Sequence, residues 1–208
     1  MARPRSFDRQ QALVAAKEVF WQQGYERTAI SDVEEATGLS RSSLYLAFET
    51  KQRLFEAALE EYRRSFIDIM VARVESDGAG LREAAEFFTA LAAHFRDAAS
   101  QRGCLQINSI TELAGRGPIV DLQGARFVDR FRRAFSKALL NAAAHGEMDE
   151  REAVRRAELL SAAALGAWVA VRTDHHAAAK TCRAIASEIK TWAASERAAP
   201  DRQRRATR

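Results

Sequence analysis

The chain has 208 residues, 47% of them hydrophobic and 29% charged, a composition typical of a folded globular protein rather than a disordered one. Its 3 prolines and 10 glycines are too few for the many turns of a β-sandwich or β-barrel, so long helices are favoured. No segment approaches the roughly 18 consecutive apolar residues of a membrane span, and the N-terminus lacks the apolar core of a signal peptide. We therefore expect a cytoplasmic protein with no membrane partner.

The net charge of +4 is unevenly distributed along the chain. Residues 1–62 carry a net charge of −2, residues 63–208 one of +6, and the segment 198–208 alone contributes +3. Overall charge does not by itself indicate nucleic-acid binding, so any contact with DNA must come from a local group of residues. The two cysteines, Cys104 and Cys182, predict neither a disulfide framework nor a zinc site, and no metal or cofactor is predicted.

Apolar residues recur at helical spacing through nearly the whole chain, which predicts an all-α protein of about nine helices. A basic arm with Arg3, Arg5 and Arg9 precedes or opens the first helix, which ends at Gly24. Beyond the first three helices, further ones are predicted over residues 51–75, 81–99, 103–113, 118 to about 145, 150–172 and 177–195.

Two short helices follow the first one, with a glycine-containing turn between them. Thr28 is expected to cap a helix over residues 30–37, and Gly38 supplies the positive φ that a tight turn requires. Ser40 is expected to cap the next helix, which extends to Phe48, and Thr50 the long helix after it. This spacing is that of a helix-turn-helix, although helix periodicity alone equally allows a plain αα-hairpin.

The first turn of the helix after Ser40 has the chemistry of a DNA-reading helix. Its free N–H groups and positive dipole end are expected to point outward, where a phosphate could bind. Ser42 and Ser43 are small enough to let the helix enter a major groove closely. Arg41 can donate two hydrogen bonds to a guanine.

The segment from Phe7 to Tyr62 resembles the DNA-binding domain of the TetR-type transcriptional regulators. The resemblance is carried by Phe20, Gly24-Tyr25, Thr28, Gly38-Leu39-Ser40, Leu44-Tyr45, Phe48, Lys51 and Leu54-Phe55. It implies that Thr28, Ser40, Tyr45 and Lys51 contact phosphates and that Arg41, Ser42 and Ser43 read bases. The chain departs from the family pattern at Glu34, often alanine, and at Leu46-Ala47, often a histidine pair.

The resemblance further implies a homodimer that binds a double-stranded DNA operator and a small-molecule effector. The corresponding division is a helix-turn-helix domain over residues 6–66, an effector-binding and dimerisation domain over 67–197 and a disordered tail over 198–208.

We expect a sequence-specific regulator, a repressor that an effector releases through the long helix 51–75. A DNA-binding protein without effector and a redox-responsive regulator acting through Cys104 are the alternatives. An enzyme is the rival class, but the chain contains no GxSxG, P-loop or HExxH motif.

The helices after residue 81 are rich in aromatic side chains, which can line a ligand cavity with a few polar groups or simply form the core. The candidate pocket residues are Phe88, Phe95, Cys104, Asn108, Phe131 and Trp168. Cys104 lies next to a predicted helix N-terminus, which lowers a thiol pKa, in a Gly103-Cys104-Leu105-x-x-Asn108 segment that resembles one in a subgroup of these regulators. The alternative hypothesis is that Cys104 is buried and unreactive.

The last two helices are candidates for the dimer interface. The first has small residues around Gly166, and the second has Cys182, Ile185, Ile189 and Trp192 on one face. The resemblance implies that these helices pack on their twins as a four-helix interface. The sequence alone equally allows them to be internal core.

Overall fold

The computed structural model describes residues 8–116 and 118–205, the side chains of residues 118–122 and 193–205 excepted. All its regular elements within these residues are helical: α1 (Arg9–Gln23), α2 (Ile30–Thr37), α3 (Arg41–Phe48), α4 (Lys51–Tyr62), α5 (Asp68–Glu75), α6 (Leu81–His94), α7 (Leu105–Leu113), α8 (Pro118–Ala144), α9 (Glu150–Ala170) and α10 (His175–Arg205), with a 3-10 turn at Ala98–Arg102. A π-helical segment, Arg63–Ile67, joins α4 and α5 into one rod, so the described residues form nine longer helical units. The predicted all-α class is confirmed.

The first helix has the amphipathic face that its sequence predicts. Asp8 caps α1, because its carboxylate accepts hydrogen bonds from the N–H groups of residues 10 and 11. The apolar face is buried, and Phe20 packs edge-on against Phe55 of α4 with ring centroids 5.0 Å apart. Gly24, with φ of 83°, ends the helix as predicted. Arg9 of the predicted basic arm lies over the Phe48 ring, whereas Arg3 and Arg5 lie outside the described residues.

Helices α2 and α3 form the predicted helix-turn-helix, with the predicted bounds. Gly38 adopts the left-handed conformation, φ 68° and ψ 13°, between them. Val33 of α2 and Leu44 of α3 are fully buried where the two helices cross. Thr50 caps α4 by accepting the Arg53 N–H at 3.0 Å, so the long helix begins where its sequence places it.

The long helix changes its winding where the two predicted domains meet. The π-helical segment Arg63–Ile67 falls at the predicted boundary between residues 66 and 67, and such segments often mark functional positions in helices. Arg63, the first residue of this segment, pairs with Glu60 before it at 2.6 Å and with Asp68 after it at 2.7 Å. The division into domains itself stays a prediction.

The second half of the chain is a helical layer in which α10 packs along α6, and α8 along α9. The helix predicted over residues 81–99 stops at His94, because Asp97 caps the 3-10 turn by accepting the Ala99 N–H at 2.9 Å. The last helix runs to Arg205 and thus into residues 198–208, for which the disordered tail stays a prediction. No helix of the described residues is long and apolar enough to cross a membrane.

Candidate nucleic-acid interface

The outward face of α3 presents the predicted base-reading residues at its first turn. Ser40 caps the helix, since its hydroxyl oxygen accepts the Ser43 N–H at 3.3 Å and lies within 3.0 Å of the Ser42 and Ser43 hydroxyls. The Arg41 side chain is exposed and has neither a hydrogen-bond nor an ion-pair partner among the described residues. This turn therefore combines a free guanidinium with a cluster of small hydroxyls.

The N-terminus of α3 is not free, contrary to the prediction. The carboxylate of Glu34, from α2, accepts the Arg41 backbone N–H at 2.6 Å. A carboxylate at a helix N-terminus satisfies the positive dipole end in the way that a phosphate would. Glu34, which departs from the family pattern, thus occupies the position expected to receive DNA phosphate.

Thr28 does not have the predicted capping role. It is only 1% exposed, and its hydroxyl donates a 2.6 Å hydrogen bond to the Gly24 carbonyl, four residues back. Ala29 is the N-cap residue of α2, and its N–H is bonded instead to the Asp32 carboxylate at 2.7 Å. Because its proton is committed and its side chain is buried, Thr28 is not available as a phosphate donor.

Three further side chains extend the exposed surface of the helix-turn-helix. Tyr45 is 39% exposed, one helical turn after Arg41 on the same face of α3. Lys51, at the start of α4, holds its ammonium 4.4 Å from the centroid of the Tyr25 ring. Leu46 is 87% exposed and is not among the predicted site residues, although it stands where the family often has a histidine. An exposed apolar residue here can contact a thymine methyl group.

Comparison with known proteins agrees with this geometry. The family model described as "Bacterial regulatory proteins, tetR family" matches residues 12–58. The transcriptional repressor ComR of Escherichia coli is 32% identical over 173 residues, 82% of each protein. This chain belongs to the tetR family. The helix-turn-helix reading is therefore confirmed over the plain hairpin, and the protein is a DNA-binding transcriptional regulator.

Two further relatives match this tetR-family protein over most of its length. The uncharacterized regulator YezE of Bacillus subtilis is 30% identical over 149 residues, 77% of its length. A cysteine-substituted CifR, solved in complex with a 26 bp operator duplex, is 27% identical. The similarity to CifR covers 90% of this chain and 97% of that one, with a TM-score of 0.74.

Four of the six predicted pocket residues of this tetR-family protein lie together in its aromatic core. Phe88, Phe95, Phe131 and Trp168 are fully buried and pack on other rings, as in the Phe95–Trp168 pair with centroids 4.9 Å apart. They contribute to the hydrophobic core of the described residues, and a ligand pocket among them stays a prediction. Asn108 does line a cavity, beside α1, but its side chain is bonded to the Arg102 carbonyl and to Arg172.

A cavity lies instead at the junction of the DNA-binding helices with α7 and α8. It measures about 340 Å³, and we call it the junction cavity. Its walls include Tyr25 and Glu26 from the α1–α2 turn, Phe55 from α4 and Leu113 from α7. No feature of the sequence indicates this cavity, because helical periodicity shows which face of a helix is apolar and not where two helices leave a gap.

Cys104 is located as predicted but does not have the predicted chemistry. It is the N-cap residue of α7, directly before the helix. Its side chain is fully buried, and burial raises the pKa of the thiol to about 11. Hydrogen bonds from Tyr62 and from the backbone N–H groups of Ile107 and Gln106 lower the pKa, but by less than burial raises it. The predicted lowering of the pKa is therefore wrong, because loss of hydration outweighs the helix terminus.

Helix α7 also holds the end of α1 directly. The Glu112 carboxylate accepts the backbone N–H of Tyr25 at 3.0 Å and that of Glu26 at 2.8 Å. A Cβ on Gly24 would lie 2.7 Å from this carboxylate and would displace it, so these contacts as well as the φ of 83° favour glycine here. Arg116 adds an ion pair with Glu26 at 2.7 Å. We call these contacts the Glu112 clasp.

A second set of contacts joins α1 to the turn before α7. The Arg102 guanidinium lies 3.4 Å from the centroid of the Trp21 ring and pairs with Glu18 at 2.5 Å. The Trp21 indole N–H donates to the Gly103 carbonyl at 3.1 Å. The DNA-binding helices are thus fixed to the segment before α7 by side chains and not only by the long helix.

The predicted dimer helices divide into an inner and an outer face. Cys182 and Ile189 of α10 are fully buried within the chain, so they belong to the core and not to an outer stripe. On α9, Leu159 and Val169 are 56% and 52% exposed. Gly166 is exposed between them, and a Cβ added there would meet nothing within 4 Å. Within the described part of these two helices, exposed apolar side chains therefore lie on α9.

Proposed function

We propose that this regulator represses transcription by binding its operator as a homodimer and that a small-molecule effector releases it. The observation that carries the proposal is the exposed, unpaired Arg41 on the capped first turn of α3. The relatives support it, since ComR is a transcriptional repressor and CifR has been solved on operator DNA. The site of action is the cytoplasm.

In this proposal Arg41, Ser42 and Ser43 read base edges in the major groove. A bidentate arginine–guanine pair is worth about 1–3 kcal/mol of discrimination. Ser40, Tyr45 and Lys51 contact phosphates on either side. Leu46 joins the base-reading residues through its exposed apolar side chain.

The dimer forms through α9 and α10, with Leu159, Gly166 and Val169 of α9 at its centre. The absence of a side chain at Gly166 lets two α9 helices approach closely. A twofold axis there places the two α3 helices on half-sites separated by about one turn of DNA or a multiple of it.

The effector acts through two routes that meet at the DNA-binding helices. One is the long rod α4–α5, which begins at Lys51 and ends in the second domain. The other is the Glu112 clasp, which adjoins the junction cavity through Glu26 and Arg116. An effector shifts the equilibrium only as far as its affinity differs between the DNA-bound and released arrangements, typically by about 1–3 kcal/mol of coupling.

DNA recognition is tested by fluorescence anisotropy on an operator selected from random duplexes. Arg41→Ala is expected to weaken operator binding by about 1–3 kcal/mol and to leave binding to random DNA almost unchanged. Lys51→Ala is expected to weaken both and to flatten the salt dependence. Arg96→Ala, an exposed arginine just after α6, is the charge-matched control. Unchanged operator affinity in an Arg41→Ala/Tyr45→Phe double variant would show that α3 is not the reading helix.

A further inference from the structure

The junction cavity continues into a second one along the same helices. This second cavity, of about 460 Å³, shares four lining residues with the junction cavity, namely Glu56, Leu59, Gln106 and Gln123. Both cavities therefore belong to one groove, which runs between α4 on one side and α7 and α8 on the other. We call it the α4–α8 groove.

The two ends of the α4–α8 groove differ in character. The junction end is walled by Phe55, Leu59, Ile110 and Leu113, and its exposed lining is mainly apolar. The absence of a side chain at Gly124 leaves room next to Ile110, because a Cβ at this position would lie only 3.2 Å from the Ile110 side chain. A pocket of this size and lining suits the apolar body of a small ligand.

The other end of the groove is lined by four arginines. Three of them are neutralised: Arg63 by Glu60 and Asp68, Arg130 by Asp68 and Glu75, and Arg133 by Asp129. The fourth, Arg126, has no hydrogen-bond or ion-pair partner among the described residues.

The acidic side chains that line this end of the groove also have ion-pair partners. Glu60 pairs with Arg63 and Arg64, and Glu56 pairs with Arg53 at 3.3 Å. Among the described side chains that line the groove, the charge that remains uncompensated is thus the Arg126 guanidinium. A guanidinium binds carboxylate, sulfate and phosphate oxygens in a planar two-point geometry.

We propose that the α4–α8 groove binds amphipathic anions, with the apolar body at the junction end and the anionic group at Arg126. This inference names the chemical class of the effector and rests on the proposed function. A ligand in this position touches Tyr25 and Glu26 of the DNA-binding domain and also α7 and α8. A change in the separation of the two predicted domains would therefore change the contacts of the bound ligand.

Isothermal titration of the DNA-free protein tests the ligand chemistry alone. The probes are decanoate, decanol and decyltrimethylammonium, which share one chain length and are used below their micelle-forming concentrations, with butyrate as the short anion. Decanoate is expected to bind once per chain, about tenfold tighter than decanol, the effect of roughly one charge-assisted hydrogen bond. Butyrate is expected to bind weakly, because it buries too little apolar surface.

Variants at Arg126 assign the preference to one side chain. Arg126→Gln is expected to remove the advantage of decanoate over decanol, and Arg126→Lys to retain part of it. Arg132→Gln, an exposed arginine of the same helix outside the groove, is expected to leave the affinities unchanged. Equal affinity for decanoate and decanol in the wild type, a preference for the cation, uptake of several molecules per chain or no binding would overturn the proposal.

A separate titration of operator-bound protein keeps this inference distinct from the proposed function. Release of the operator by decanoate from the wild type, but not from Arg126→Gln, supports both. One-to-one binding of decanoate with unchanged operator affinity supports the ligand chemistry of the groove and contradicts release by a ligand at this site.

Discussion

Glu34 and Arg41 are joined by a 2.6 Å hydrogen bond in which the Glu34 carboxylate accepts the Arg41 backbone N–H. The bond links the two helices of the DNA-binding motif and fills the anion site at the start of α3. A phosphate approaching this helix end therefore meets a carboxylate that is already bound there. The same bond holds α3 at a fixed angle to α2.

Replacing Glu34 by glutamine is expected to strengthen DNA binding. The amide oxygen still accepts the Arg41 N–H, but the negative charge that repels phosphate is gone. The gain is about 0.3–1 kcal/mol, or roughly two- to fivefold in affinity, and it shrinks as salt rises. Anisotropy at several salt concentrations measures it. Glu35→Gln, an exposed carboxylate next in the same helix, is the control, and an equal gain in both variants would show a general charge effect only.

The Glu112 clasp gives a second prediction. In Glu112→Gln one of the two acceptor oxygens becomes an amide nitrogen, so either Tyr25 or Glu26 loses its N–H acceptor. The expected cost is about 1–3 kcal/mol of stability, with faster hydrogen exchange at the amides of residues 25 and 26. Exchange measured by NMR on free protein tests this, with Thr111→Ala as control. Unchanged protection at both amides would mean that the clasp does not persist in solution.

The features that the sequence predicted well are those decided by neighbours along the chain. Ser40 and Thr50 cap their helices, and Gly38 takes the left-handed turn, because each role involves atoms only a few positions away. Thr28 was assigned wrongly although it is also local, since its hydroxyl had a competing acceptor in the Gly24 carbonyl.

The features that the sequence could not predict depend on packing between distant segments. Glu112 binds the N–H of Tyr25 across 87 positions, and no periodicity indicates such a pair. The aromatic residues after position 81 are consistent with a core or a pocket, and their contacts, such as the Phe95–Trp168 ring pair, depend on packing that the sequence does not show. The junction cavity likewise depends on how α4, α7 and α8 pack against one another, which the sequence of each helix alone does not show.

Cys104 gives a third prediction, on reactivity and pH. With the thiol buried and its pKa raised to about 11, the reactive thiolate is scarce at neutral pH. Native protein is expected to react with a disulfide reagent only slowly at pH 7.5, and readily after unfolding. Cys182, with a pKa raised to about 12, is expected to behave alike, so Cys182→Ser isolates the signal of Cys104. Rapid modification of that variant with loss of operator binding would restore the redox hypothesis.

The same pKa shift predicts a direction for stability in alkaline solution. A raised thiol pKa means that the folded protein holds the proton more tightly than the unfolded chain does. The stabilisation is therefore complete below the unfolded pKa of 9.0 and is lost as pH rises toward 11. Denaturant unfolding of wild type and Cys104→Ala between pH 8 and pH 10.5 measures this, and the variant is expected to lose less stability over that range.

The last prediction concerns assembly through α9. Gly166 is exposed, and an added side chain would meet nothing within the chain, so Gly166→Arg is expected to leave the fold and its helical content intact. In the proposed dimer the same arginine would enter the closest approach of two α9 helices and separate them. We therefore expect a monomer by light scattering at micromolar concentration and a large loss of operator affinity, because two half-sites are no longer bound together. Ala125→Arg, an exposed position on α8, is the control and is expected to remain a dimer. A dimeric Gly166→Arg protein that binds the operator normally would place the interface elsewhere on the molecule, and a monomeric wild type would remove the dimer altogether.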